Sequence, residues 1–156
     1  MREMRRKERR LTTEEAWAVV EASDYGVLSM IGEENRPYCV PVNLARKGEC
    51  LYFHCAKVGQ KTDFLRQNGG VCVSFVSRAD LDGENLTTKY VSATVFGTAE
   101  EVTEDTEKIE ALTLIARRFA PEYEEAAKKE IETLLSVTAV WRVTADFITA
   151  KSNLKR

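Results

Sequence analysis

The sequence predicts a mainly β, α+β fold: a small antiparallel barrel of six to seven strands with helices packed around it. Apolar runs with two-residue alternation follow one another as hairpins. The regular strand–helix–strand rhythm of a parallel sheet is missing, which argues against a doubly wound fold. Closing such a sheet on itself removes exposed strand edges, so a barrel is the natural packing.

Thr12-Thr13-Glu14-Glu15 forms a capping box, with Thr12 as N-cap and Glu15 three residues on, and Ala16, Trp17, Val19 and Val20 carry the helix to about Ser23. Tyr25 to Ile31 reads as a strand, Gly32-Glu33-Glu34-Asn35 as a turn, and Pro37 to Ala45 as the returning strand. Pro37 and Pro41 cannot donate to a ladder, so that strand belongs at an edge or carries a bulge. Arg46-Lys47-Gly48-Glu49 turns the chain into Cys50–His54, and Thr62 to Gln67 is helix-like. Gly69-Gly70 leads into a fourth strand, Val71 to Ser77.

Arg78 to Thr88 is polar and contains Asp82-Gly83, which predicts a long loop. Tyr90 to Val102 is a long strand carrying Gly97. Asp105 to Phe119 has helical spacing at Ile109, Leu112, Ile115, Ala116 and Phe119. Pro121 opens a further helix running from Glu122 to about Leu135. Val137–Val143 and Asp146–Ala150 finish the series as two strands.

Residues 1–156 read as one domain, with 1–11 as a basic arm: Arg2, Arg5, Arg6, Lys7, Arg9 and Arg10. So short a run reads as a solvated arm that packs on a partner subunit, rather than as an RNA or lipid contact. A net charge of −2 argues against a nucleic-acid binder. The four cysteines show no Cys-x-x-Cys spacing and there is one histidine, so no zinc pattern can be completed and no metal is expected. No export signal or membrane-length apolar run stands in the chain, which predicts a cytoplasmic protein with free thiols.

The chemistry gathers at Leu51-Tyr52-Phe53-His54-Cys55-Ala56-Lys57-Val58-Gly59-Gln60-Lys61. A strand ends at His54, a short turn with Gly59 follows, and a helix opens beside Lys61. Backbone N–H groups at a helix N-terminus favour an anion, and a lysine there is disfavoured by the dipole unless an anion joins it. The Walker spacing is absent. His54 is read as a site residue, against the alternative of a strand-end histidine bonded to backbone. Asn43 is read equally as a site residue or as a turn-closing one. Trp17 and Trp141 are read as core or interface residues, and Cys55 as packing.

Met4-Arg5-Arg6-Lys7, Pro41-Val42-Asn43, Tyr52-Phe53-His54-Cys55-Ala56 with Gly59 and Lys61, and Tyr90-Val91-Ser92 leading to Gly97 recur in one order. Together they resemble the pyridoxamine 5′-phosphate oxidase-like, FMN-binding split β-barrel superfamily, and most of all its nitroimidazole-resistance branch. The resemblance runs from about Arg5 to Lys151. It implies a homodimer with FMN at the subunit interface and the flavin ring against Pro41, Val42 and Asn43. It places the phosphate on the turn of His54, Cys55, Ala56, Gly59 and Lys61, with Tyr90 and Ser92 adding contacts. Cys55 replaces a usual serine, Leu44 a common aromatic residue, and Thr149-Ala150-Lys151 a familiar Thr-Gly-Lys.

The implied activity is FMN-dependent reduction of a small-molecule electron acceptor, nitroaromatic or nitroimidazole compounds among them, with His54 as the catalytic proton donor. The alternative is a flavin-binding or redox-sensing module of the same fold without turnover. An oligonucleotide-binding barrel is disfavoured by the acidic balance, and pyridoxamine phosphate oxidation by the lack of an arginine-rich clamp in the C-terminal strands.

Overall fold

The computed structural model describes residues 3–154, so Arg2 of the basic arm lies outside the described residues. The elements are α1 (Thr13–Glu21), β1 (Gly26–Ile31), β2 (Pro37–Val42), β3 (Ala45–Lys47), β4 (Cys50–Ala56), α2 (Gln60–Gln67), β5 (Gly70–Asp82), β6 (Thr87–Glu101), α3 (Asp105–Phe119), α4 (Glu124–Leu134) and β7 (Thr138–Ser152). All pairings are antiparallel, in the order β2-β1-β5-β6-β7-β4-β3. The seven-stranded barrel with helices outside is therefore as the sequence predicts.

Alternation decides which side of each strand faces in. Leu28, Val73, Val95 and Trp141 are buried together with Leu51 and Phe53, and α1 adds Trp17, Val19 and Val20 to the same core. On the other side of β4, Tyr52, Ala45 and Val140 pack against Ala111, Leu112 and Ile115 of α3. The Thr12 capping box forms as expected, with Glu15 N–H donating to Thr12 Oγ1 at 3.2 Å and Thr12 N–H to Glu15 Oε2 at 2.7 Å. Arg118 of α3 ties the layers together: its Nη2 donates to the carbonyls of Val20 (2.8 Å), Glu21 (3.2 Å) and Ser23 (2.9 Å) at the end of α1. A cation on those orphan carbonyls is where the helix dipole favours one.

Four segments differ from the sequence reading. The expected 78–88 loop is instead the distal part of the β5–β6 hairpin, paired out to Asp82↔Thr87. Both of its faces are largely exposed, so it shows none of the alternation that marks a half-buried strand. The returning strand breaks after Val42, and Ala45–Lys47 becomes the separate β3, paired with Tyr52–Cys50. The last two strands are one, β7, whose register against β6 shifts between Phe96 and Gly97. Pro121–Tyr123 is a 3-10 turn, and α4 begins only at Glu124.

Gly97 marks that shift for a steric reason. A Cβ at this position would overlap the backbone carbonyl oxygen of Thr144, which no rotamer change can relieve. Gly97→Ala should therefore lower stability by about 1–3 kcal/mol, the usual cost of forcing atoms into a packed site. Urea denaturation measures this directly, and an unchanged midpoint would show that β6 and β7 part easily here.

Candidate functional site

The barrel is not hydrogen-bonded all the way round. β2 and β3 are the two ends of the sheet, joined through Asn43 and Leu44. β3 covers β4 only as far as Tyr52, so Phe53 to Ala56 has β7 on one side and no strand on the other. The outer edge of β2 is likewise unpaired. Each such strand leaves half of its main-chain N–H and C=O groups for water or a ligand.

The turn after Ala56 lies at this seam. Gly59 is the N-cap of α2 at φ 137°, a conformation that favours glycine although a Cβ there would meet nothing. Thr62, almost fully buried, donates to the Gly59 carbonyl at 2.6 Å and holds the turn closed. No side chain caps the helix, so its first N–H groups have no such partner. Lys61 forms no ion pair among the described residues; its Nζ lies 5.6 Å from the centre of the Phe53 ring. Lys57, exposed in the same turn, also lacks an ion-pair partner there. An uncapped helix start beside free lysines is suited to a phosphate-sized anion.

β4 alternation separates the neighbouring candidates. Phe53 and Cys55 face the barrel core, whereas His54 follows Tyr52 onto the α3–α4 side and lines a cleft there. Burial lowers the His54 pKa from its ordinary value, and the Lys61 charge lowers it further. Although His54 has solvent-exposed surface, the depressed pKa reflects the apolar walls around its ring. Burial raises the Cys55 thiol above its ordinary range, with Lys61 opposing; the thiol is thus kept protonated and suits packing better than attack.

Pro41 and Val42 lie on the edge strand, paired with Val27 and Gly26 of β1. Asn43 closes a turn, its Nδ2 donating to the Asp24 carbonyl at 2.9 Å. Tyr38, at the start of β2, packs edge-on against Phe64 of α2 at 5.3 Å, which brings the edge strand beside the helix that follows the turn. Tyr90 and Ser92 are elsewhere. Ser92 stands nine residues along β6 from Glu101, which is level with Phe53 of β4 across Trp141, and that is about 30 Å of strand. At that far end Arg9 Nη1 donates to the Tyr90 hydroxyl at 3.5 Å, and Lys151 Nζ lies 5.5 Å from its ring centre. The basic arm thus packs on its own sheet, through the Arg10–Lys151 bridge and the Leu11 N–H to the Ala150 carbonyl.

Sequence reading missed Thr62, Tyr38 and Lys57. Thr62 three residues after Gly59 was the available sign of a locked helix start. The 360 Å³ cavity between β4 and α3 is a poor candidate, because its lining charges satisfy one another: Lys47 with Glu110 at 2.8 Å and Tyr52 with Glu107 at 3.0 Å. No cluster of three or more metal-ligating side chains occurs among the described residues, and no helix there is long and apolar enough to cross a membrane.

An antiparallel split barrel with a ligand-accessible seam is the class of protein these features define. The chain belongs to the pyridoxamine 5′-phosphate oxidase family, whose model matches residues 12–152. No curated protein matches it. Among solved structures it is similar to a putative 5-nitroimidazole antibiotic resistance protein from Bacteroides thetaiotaomicron (24% identity, TM-score 0.72, covering 90% of this chain and 83% of that one). It is also similar to a flavocytochrome from Azotobacter vinelandii (20%, 0.80, 98% and 73%) and to a FAD-binding protein from Mesorhizobium loti (20%, 0.63, 94% and 98%). At these identities the likeness is one of fold.

The His54 environment gives a titration test. Its native pKa lies below the ordinary 6.5, so the unfolded chain takes up a proton before the native one does. Stability from this residue is complete above about pH 6.5 and falls as pH drops toward the native pKa. Imidazole proton NMR should show a midpoint below 6.5, moved partway back by Lys61→Gln. A midpoint at or above 6.5 in the native protein would show that burial does not govern this ring.

Proposed function

We propose that the chain is a flavin-dependent oxidoreductase that binds FMN at the seam of a homodimer and reduces small acceptors, nitroaromatic and nitroimidazole compounds among them. The observation that carries this reading is the seam: two unpaired strand edges beside an uncapped helix start with an unpaired lysine. These residues fit a flavin mononucleotide. Lys61, Gly59 and the start of α2 would hold its phosphate, while the edges of Pro41–Asn43 and of His54–Ala56 would satisfy the polar rim of its ring. When bound, FMN supplies two-electron transfer; the protein binds, orients and shields it. One phosphate cradle, with no second nucleotide motif in the sequence, favours FMN over FAD.

One observation and one consequence of the resemblance support a homodimer. The outer face of the β2-β1-β5-β6-β7 sheet carries the cross-strand row Cys39, Ser29, Cys72, Phe96 and Phe147 and, beside it, Pro41, Val27, Ser74, Thr94 and Thr149. None of these ten is charged, and Phe96 and Phe147 stack at 4.7 Å. A charge-depleted, aromatic patch is the composition of an interface core. Second, Tyr90 and Ser92 join the cofactor site only if one protomer supplies the Lys61 turn and the other the far end of β6. In that arrangement Ser92 and Lys151, paired across β6 and β7, serve the same flavin as Lys61.

The direction of His54 supports a second reading, a flavin-binding module with little turnover. The imidazole lines the α3–α4 cleft, so in this reading its contribution at the seam is through its backbone and it donates no proton there. Protons for acceptor reduction would then come from solvent.

The visible spectrum of the purified protein, with identification of the nucleotide released by heat, tests the flavin assignment. Lys61→Ala should weaken FMN binding by about 1–3 kcal/mol, the range for one charge-assisted phosphate contact; unchanged affinity would take Lys61 out of the site. Sedimentation equilibrium should give twice the chain mass with flavin bound, and a monomer mass would refute the interface. His54→Ala should keep both flavin content and turnover with a nitroaromatic acceptor, whereas a drop of a hundredfold or more would restore the proton-donor role.

A further inference from the structure

We infer that the cleft between α3 and α4 is a second binding site, for a single-ring aromatic molecule carrying a protonated nitrogen. It does not depend on the flavin assignment, since it opens on the opposite face of β4 from Phe53 and Cys55. Its volume is about 200 Å³, room for one substituted ring.

The walls are apolar and come from helical stripes. α3 presents Leu112 and Ile115, and α4 presents Ile131 and Leu134. Ala116 and Ala127, one on each helix, line the same space with methyl groups, so the gap stays open where larger side chains would fill it. α4 buries none of its residues, and Leu134 remains 41% exposed. The helix is instead anchored past its end, where Lys108 Nζ donates to the Leu135 carbonyl at 2.8 Å. Anchored there and unfilled in its middle, α4 roofs the cleft.

Two polar groups line this space, both solvent-exposed and without a side-chain partner among the described residues. The His54 imidazole, from β4, has no hydrogen-bond partner among the described residues, and Thr138 beside it already donates to the Leu134 carbonyl at 2.9 Å. Glu130 on α4 forms no ion pair among the described residues, although the same helix pairs Lys128 with Glu125 at 2.6 Å. A ring between Leu112, Ile115, Ile131 and Leu134 would place one end at the imidazole and the other at the carboxylate. The carboxylate selects a cationic nitrogen and rejects an anion. The neutral imidazole supplies one donor and one acceptor for a ring substituent.

Methyl NMR of the purified protein, flavin as isolated, tests this with benzamidine and benzoate as probes. Benzamidine should shift the Ile115 and Ile131 methyls saturably, with a millimolar midpoint as expected for so few heavy atoms. Benzoate, equal in size and opposite in charge, should bind at least about tenfold more weakly. Glu130→Gln should weaken benzamidine about two- to fivefold, the range of a partly exposed ion pair. Ala127→Phe should abolish binding while leaving the flavin spectrum unchanged. Equal shifts by the two probes, non-saturating shifts, or wild-type binding by Ala127→Phe would overturn the site. Should Ala127→Phe unfold α4, the Glu130→Gln comparison decides alone, since it changes one charge on an exposed residue.

Discussion

The sheet lacks a last hydrogen-bonded pair, and much of the molecule is arranged around that omission. A curled antiparallel sheet must either close or leave two edges, and unpaired main-chain groups cannot be buried without cost. Here the two ends are connected covalently by Asn43-Leu44 and not by a ladder. Leu44 is buried in the core, and Asn43 fastens the corner to the Asp24 carbonyl. Pro37 and Pro41 reduce the donors that the edge of β2 presents. Beneath the gap, Phe64 and Leu65 of α2 complete the core that no strand covers there. The helix that plugs the seam also carries the uncapped N-terminus and Lys61, so closing the core and forming the proposed cradle are one structural act.

Much of this was legible in the residues because local and tertiary preferences agree. The Thr12–Glu15 capping box, the helical period from Asp105 to Phe119 and the prolines of an edge strand each have a local cause. The β5–β6 extension was not legible, because Arg78 to Lys89 is held by ladder bonds and by the Lys89–Asp82 ion pair at 2.9 Å, without a buried face to set a period. The unity of β7 was hidden by Thr144-Ala145-Asp146, which looks like a break and is an irregularity opposite Gly97. The turn from His54 to Lys61 and the helix start beside it were readable from their order of residue types. The division between His54 and Cys55 depends on which layer covers each face of β4, and that is settled by α3, about fifty residues later in the chain. The separation of Ser92 from Lys61 follows from strand length, which alternation alone does not limit.

The two faces of the barrel wall have opposite chemistry. Toward α3, charge is used as mortar: Arg142 bridges Glu107 at 2.8 Å and Glu100 at 2.9 Å, and Tyr52 donates to Glu107. Burial, reinforced by that carboxylate, pushes the Tyr52 hydroxyl pKa up to about 12, so it remains a donor at any physiological pH. These groups are spent on one another, which is why the polar cavity beside them offers little to a ligand. The two cross-strand rows from β2 through β7 carry no charge. Side-chain chemistry on one wall is already satisfied internally; on the other the uncharged rows remain partly exposed.

The place of β7 in the sheet sets the order in which the protein can assemble. β7 is the last strand in the chain, yet it lies between β6 and β4, and Cys50 pairs with Thr144, 94 residues away. The first helix is affected as well, since Leu11 just before it donates to Ala150. During synthesis, β1, β2, β5 and β6 can pair as they emerge, while β3 and β4 must wait as a detached hairpin. Contacts of such separation are slow to form and leave apolar strand faces open in the meantime. The uncharged rows on the outer sheet face are exposed through the same interval, so the nascent chain is at greatest risk of mispairing just before its final strand arrives.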